Sequence, residues 1–247
     1  MTAVDPWEAN SGWWQDGFTE GADPEYEEQI VPLARHWLRG YDRILDVGCG
    51  EGQIARRLVV DGARHVVGVD PTWAQLTIAR ERDAGCQGDV RPVYARSVAE
   101  HLPIASDSCD AALACLVFEH MADHRPAIAE VARVLRPGGR FVFFLNHPML
   151  QCPGSGWVID HILEEEYWRI GPYLIEDVTM EELAPGVVLP FVHRPLSQYV
   201  NALAAHGLFL VHMGEPAPPA GFIARAVEYA DAATIPRLLL LVAELPK

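Results

Sequence analysis

From residue 42 onward, short apolar runs alternate with stretches of helical spacing. DRILDV (42–47) and HVVGVD (65–70) are aliphatic runs with an acid near or at their ends, whereas QIARRLVV (53–60) and PTWAQLTIARERD (71–83) place their apolar residues on one helical face. The pattern continues with VRPVYA (90–95), CDAALACLV (109–117), a helix RPAIAEVARVL (125–135) and the run RFVFFLN (140–146). Pro126 sits where a first helical turn tolerates proline. Alternation of this kind predicts an α/β fold, a parallel sheet covered by helices on both faces, with a ligand crevice beyond the carboxyl ends of the strands.

The flanks read differently. Residues 1 to about 23 are rich in Gly and Trp, and Asp23-Pro24 then reads as the cap and first turn of a helix EYEEQIVPLARHWL (25–38). Between His147 and Pro195 the alternation breaks down. PLSQYVNALAAHG (195–207) restores it as a helix stopped by Gly207, LFLVHM (208–213) and IPRLLLLVAEL (235–245) follow as strands, and EPAPPAG (215–221) reads as a loop. The expectation is a single domain over 1–247, with an N-terminal helical cap (1–40), a ligand-binding core (41–146), a substrate-side insertion (147–195) and closing elements (196–247).

Composition narrows the partners. Nineteen basic against 34 acidic residues give a formal charge of -15 without any basic cluster, which argues against nucleic acid and anionic lipid. No window reaches the roughly 18 apolar residues of a spanning helix. MTAVDPWEAN lacks a basic and apolar leader, so no membrane and a cytoplasmic location are expected. Cys49, Cys86, Cys109, Cys115 and Cys152 form no CxxC pair and read as reduced thiols, with no metal site.

ILDVGCGEG (44–52) carries the chemistry. Glycines after a strand let a ligand approach the backbone, and the next helix offers free N–H donors. Gly48, Gly50 and Gly52 give GxGxG, with Gln53 where a dinucleotide fingerprint wants its third glycine, so the spacing disfavours NAD. Asp70, 18 residues after Gly52, suits ribose hydroxyls in either cofactor class.

DVGCGEG, VVGVDPT, SVAEHLPIASDSCDAAL and VLRPGGRFVF occur in that order over about residues 42–146, and together they resemble the class I S-adenosylmethionine-dependent methyltransferases, in the small-molecule branch with the type 11 core. The resemblance implies a doubly wound, seven-stranded sheet, mostly parallel with an antiparallel last strand, with LFLVHM and RLLLLVAEL as antiparallel sixth and seventh strands. It implies methyl transfer from S-adenosyl-L-methionine to a small organic molecule, leaving S-adenosyl-L-homocysteine. Gly48, Cys49 and Gly50 of the turn, completed by Gly52, would approach the methionine part, and Asp46 would order the turn or meet the amino group. Asp70 would hold the ribose, Pro71 and Thr72 would flank the adenine, Val98 and Ala99 would meet its edge, and its exocyclic amine would fall to backbone groups, Ser97 or Glu100. Cys115, Leu116 and Val117 would line the methionine side.

An acceptor that loses a proton needs a base, and histidine is the usual one. His147, after RFVFFLN, is the first candidate; Glu119 and His120 in LVFEHMADH are the next. Trp13, Trp14 and Phe18 on one side, and Trp157, Tyr167, Trp168 and Tyr173 on the other, are expected to form an aromatic lid over the acceptor, with Tyr26 closing over the methionine carboxylate and His193 and Arg194 near an acidic substrate. A monomer or homodimer is expected. The rival reading is a catalytically inactive protein that binds or senses S-adenosylmethionine.

Overall fold

The aliphatic runs become strands in the computed structural model, which describes residues 5–85, 90–225 and 231–247. Cys86 lies outside the described residues. The first five strands are β1 (Arg43–Val47), β2 (His65–Asp70), β3 (Val93–Arg96), β4 (Cys109–Cys115) and β5 (Leu135–Asn146). The segment 147–195 departs from the strand–helix alternation, as expected. It forms two antiparallel hairpins, β6 (Gly156–Asp160) with β7 (Glu165–Arg169) and β8 (Asp177–Ala184) with β9 (Val187–His193). Their turns are local chemistry: the Asp160 carboxylate accepts the Ile162 and Leu163 N–H groups at 2.8 and 3.0 Å, and Gly186 supplies a φ of +78°. Then β10 (Phe209–Gly214) and β11 (Leu238–Glu244) close the main sheet.

That sheet has the order β10-β11-β5-β4-β1-β2-β3. The expected doubly wound, seven-stranded sheet is therefore present. β11 is antiparallel to both β5 and β10, so β10 runs with the parallel strands and only the last strand is inverted. The expectation of two inverted strands reduces to one.

The helices are α1 (Pro6–Phe18), α2 (Val31–Leu38), α3 (Gln53–Val60), α4 (Trp73–Ala84), α5 (Arg125–Val134), α6 (Leu196–Ala205) and the short α7 (Ala220–Arg225). Phe141, Phe143 and Leu145 of β5 pack with Ile128 and Val131 of α5 and Leu203 of α6, while Val142 and Phe144 point to the opposite face with Leu58 of α3 and Leu76 of α4. This period-two division is what a centrally buried strand requires, and each such side chain contributes about 1.5–3 kcal/mol by burial. The helix expected over 25–38 opens as a π-helical turn (Tyr26–Ile30) ahead of Pro32 in α2, with the Val31 N–H donating to the Tyr26 carbonyl. Helix α1 is new relative to the sequence reading: Asp5 accepts the Trp7 N–H at 2.8 Å, and Pro6 occupies the first turn. No helix of the described residues is long and apolar enough to cross a membrane.

Candidate active site

A cavity of about 360 Å³ opens beyond the carboxyl ends of β1, β2 and β4. Its floor is the glycine turn. Gly48, Gly50 and Gly52 have φ values of +70°, +53° and +78°, which side-chain-bearing residues rarely adopt. Space reinforces the choice: a Cβ on Gly48 would lie 2.3 Å from Val117, and one on Gly52 2.2 Å from the Tyr94 hydroxyl. Asp70 joins the turn to β2, because its carboxylate accepts the Gly50 N–H at 2.9 Å and the Thr72 N–H at 2.8 Å. Asp46 is buried with one carboxylate oxygen lacking a hydrogen-bond partner. Burial, and then the neighbouring Asp70, push its carboxyl up to about 7.

Every cofactor residue expected from the sequence lines this cavity except Gly52, which starts α3 against Tyr94. Leu116, just past β4, holds a φ of +55°, a strained conformation for a leucine that its N–H bond to the Phe144 carbonyl at 3.1 Å helps fix. The residues fit an S-adenosylmethionine group: a backbone cradle too tight for a Cβ, a carboxylate at the end of β2, and an orphaned buried carboxylate oxygen suited to a cationic amine.

The catalytic candidates separate. His120 lines the cavity. Its Nδ1–H donates to the Pro190 carbonyl at 2.8 Å, which leaves the lone pair on Nε2, and its ring meets Trp7 and Phe191 edge-on at 4.8 and 4.4 Å. Burial pulls its pKa down to about 4, so the ring is neutral near pH 7. Glu119 does not line the cavity. One of its oxygens accepts the Asn146 N–H at 3.0 Å and side-chain amide at 2.8 Å, the other has no partner, and burial pushes the carboxyl up to about 7.

His147 is absent from the lining, and both its ring nitrogens are engaged outside the cavity. Nδ1 accepts the Met149 N–H at 3.2 Å, and Nε2–H donates to Glu215 at 2.8 Å.

The aromatic candidates also divide. Trp14 and Tyr26 line the cavity, joined by Trp7, whereas Trp13 and Phe18 pack behind Trp14. The insertion's aromatics stay out. Trp157 and Trp168 pack on each other as cross-strand partners 5.9 Å apart, Tyr167 is exposed, and the Tyr173 hydroxyl accepts the Leu196 N–H at 2.9 Å. His193 donates to the Tyr173 carbonyl at 2.8 Å, and buried Arg194 donates to the carbonyls of Phe118, Met121 and Ala122. Thus α1, not the insertion, roofs the cavity. Trp7, Thr19, Glu51, Gln53, Gln75 and Met121 are lining residues that sequence reading missed. The Asp5-Pro6 cap was the available signal for Trp7.

Asp46 and Glu119 make stability depend on pH. Both carboxyls titrate higher in the folded chain than unfolded, so each binds an extra proton on folding and its contribution to stability is lost as pH rises from about 4 towards 7. Buried His120, drawn down to about 4, acts with the opposite sign over the same window. Asp46→Asn removes the Asp46 share alone, so the variant's melting temperature should rise relative to wild type between pH 4 and 7, at about 2–4 °C per kcal/mol for a chain of this size; a difference that stays constant with pH removes Asp46 as a cause.

Residues 45–143 match the methyltransferase domain family. A 27-O-demethylrifamycin SV methyltransferase of Amycolatopsis mediterranei (strain S699) is 34% identical over 196 residues, spanning 77% of this chain and 70% of the relative. The crystal structure of an S-adenosylmethionine dependent methyltransferase from Mesorhizobium loti superposes with a TM-score of 0.74 at 30% identity, covering 86% of this chain and 96% of that one. A putative S-adenosylmethionine dependent methyltransferase from Listeria monocytogenes shares the fold, with a TM-score of 0.73 at 23% identity over 90% of this chain and all of that one.

Proposed function

The chain belongs to the S-adenosylmethionine-dependent methyltransferases, and from that premise we propose that it methylates a small organic molecule held between His120 and the tryptophans of α1. One observation carries this reading: a single cavity joins the glycine turn and Asp70 to a wall of Trp7, Trp14 and His120. The name of the Amycolatopsis relative, an O-demethylated small molecule followed by methyltransferase, supports an acceptor of that size.

When bound, the cofactor supplies an activated methyl group on its sulfonium. The chain's part is to hold and orient. Asp70 would take the ribose hydroxyls, Pro71 and Thr72 would flank the adenine with Ser97, Val98 and Ala99 at its edge, and Asp46 would face the methionine amine. Cys115, Leu116 and Val117 would close the methionine side. Trp7 and Trp14 exclude water from the acceptor, and much of the rate comes from positioning. His120 Nε2 takes the acceptor's proton as its bond to methyl forms.

Release of S-adenosylhomocysteine from S-adenosylmethionine in the presence of a metabolite pool tests the reading. Cofactor binding without any turnover would favour a sensor. Asp70→Ala should weaken cofactor binding by about 1–3 kcal/mol, the worth of charge-assisted bonds lost from a buried site. Calorimetry showing unchanged affinity would remove Asp70 from the site.

A further inference from the structure

We infer that Glu8 is a positioning residue, the latch that holds α1 closed over the cavity and thereby controls release of the demethylated product. This rests on the proposed roof of tryptophans. Helix α4 starts directly after Asp70, Pro71 and Thr72, and Thr72 at its cap position makes no capping bond. The missing cap comes from 65 residues away: the Glu8 carboxylate accepts the Trp73 N–H at 2.7 Å and the Ala74 N–H at 3.0 Å. A carboxylate at a helix N-terminus satisfies orphan donors and meets the positive end of the helix dipole.

The neighbour of that latch is Trp7, which lines the cavity and packs on His120. Closing Glu8 onto α4 therefore ties the proposed cofactor wall to the proposed acceptor wall. The rest of the helix is held at its C-terminal end, where Trp14 and Phe18 pack on the core, Gln15 bonds Gln75 at 2.9 Å, Gln53 donates to the Phe18 carbonyl at 3.3 Å, and Arg82 reaches Thr19 at 2.9 Å. At the N-terminal turn that carries Trp7 none of the described residues is buried, and an end with few buried side chains opens locally at low free energy. Since α1 roofs the cavity, ligand exchange requires such opening, and breaking the Glu8 cap is its first step.

Stopped-flow release of S-adenosylhomocysteine, read by tryptophan fluorescence, and hydrogen exchange across residues 5–20 test this in the full chain. Glu8→Ala should speed release and raise exchange of α1 amides roughly tenfold each, the order expected for loss of a helix cap, with association unchanged. Glu8→Gln, which keeps one acceptor oxygen, should fall between. Amides of β4 and β5 should keep wild-type protection, which shows the fold intact. Unchanged release in Glu8→Ala overturns the latch, and so does exchange that rises equally throughout the chain, because that is a general loss of stability. Failure of the wild type to bind S-adenosylhomocysteine would instead overturn the proposed cofactor site.

Discussion

His120→Ala should lower kcat by about 10²–10⁴, the usual contribution of a positioned general base, while cofactor affinity stays within about threefold. His120 is the titratable imidazole that lines the cavity, and its tautomer is set: the Pro190 carbonyl takes the Nδ1 proton, so Nε2 is the acceptor. The ring cannot swing freely between Trp7 and Phe191. Burial has a second consequence. With the pKa pulled down to about 4, protonation removes the base only at low pH, so kcat/KM for the acceptor, measured on the cofactor-saturated enzyme where Asp46 would be paired with the amine, should hold its plateau through pH 6 and fall as pH drops towards 4. An unperturbed histidine would place that fall near pH 6.5. A kcat for His120→Ala within about threefold of wild type, or a limb near 6.5 that the variant retains, would remove His120 as the base.

How far the sequence disclosed this site depends on the range of the forces involved. The glycine turn and Asp70 were legible because their signal is local: positive φ selects glycine at Gly48, Gly50 and Gly52, and an acid ends β2 where it reaches the turn. The central strands were legible for a similar reason, since β4 and β5 are buried on both faces and read as continuous apolar runs. His147 and His120 both follow strands at the cavity edge, and what separates them is tertiary. Glu215 comes from beyond β10 to engage His147, and Pro190 comes from β9 to fix His120. Helix α1 was hidden by Gly12 and Gly17, poor helix formers whose cost is offset by the Asp5 cap and by packing of Trp14 on the core. The hairpins were hidden because Ile159 in β6 and Val178 and Met180 in β8 are exposed apolar residues, so the period-two alternation of a half-buried strand is blurred.

Arg194→Met should cost about 3–5 kcal/mol of stability, roughly 10 °C or more in melting temperature, and should depress methyl transfer as well. Arg194 is 1% exposed, and its guanidinium donates to the carbonyls of Phe118 at 3.2 Å, Met121 at 2.6 Å and Ala122 at 2.8 Å. Its Nε lies 3.3 Å from Glu176, whose side chain is 43% exposed. After substitution Glu176 can turn to water, so the ion pair itself contributes little. The carbonyls have no such escape, and each buried acceptor left unpaired costs about 1–3 kcal/mol. Those carbonyls belong to the turn that carries His120, so the variant loosens the base as well as the fold. Arg194→Lys should recover only part of either, because an ammonium lacks the planar fork that spans three acceptors. If Arg194→Met melted within about 2 °C of wild type, the clamp would be energetically idle and the orientation of His120 would need another source.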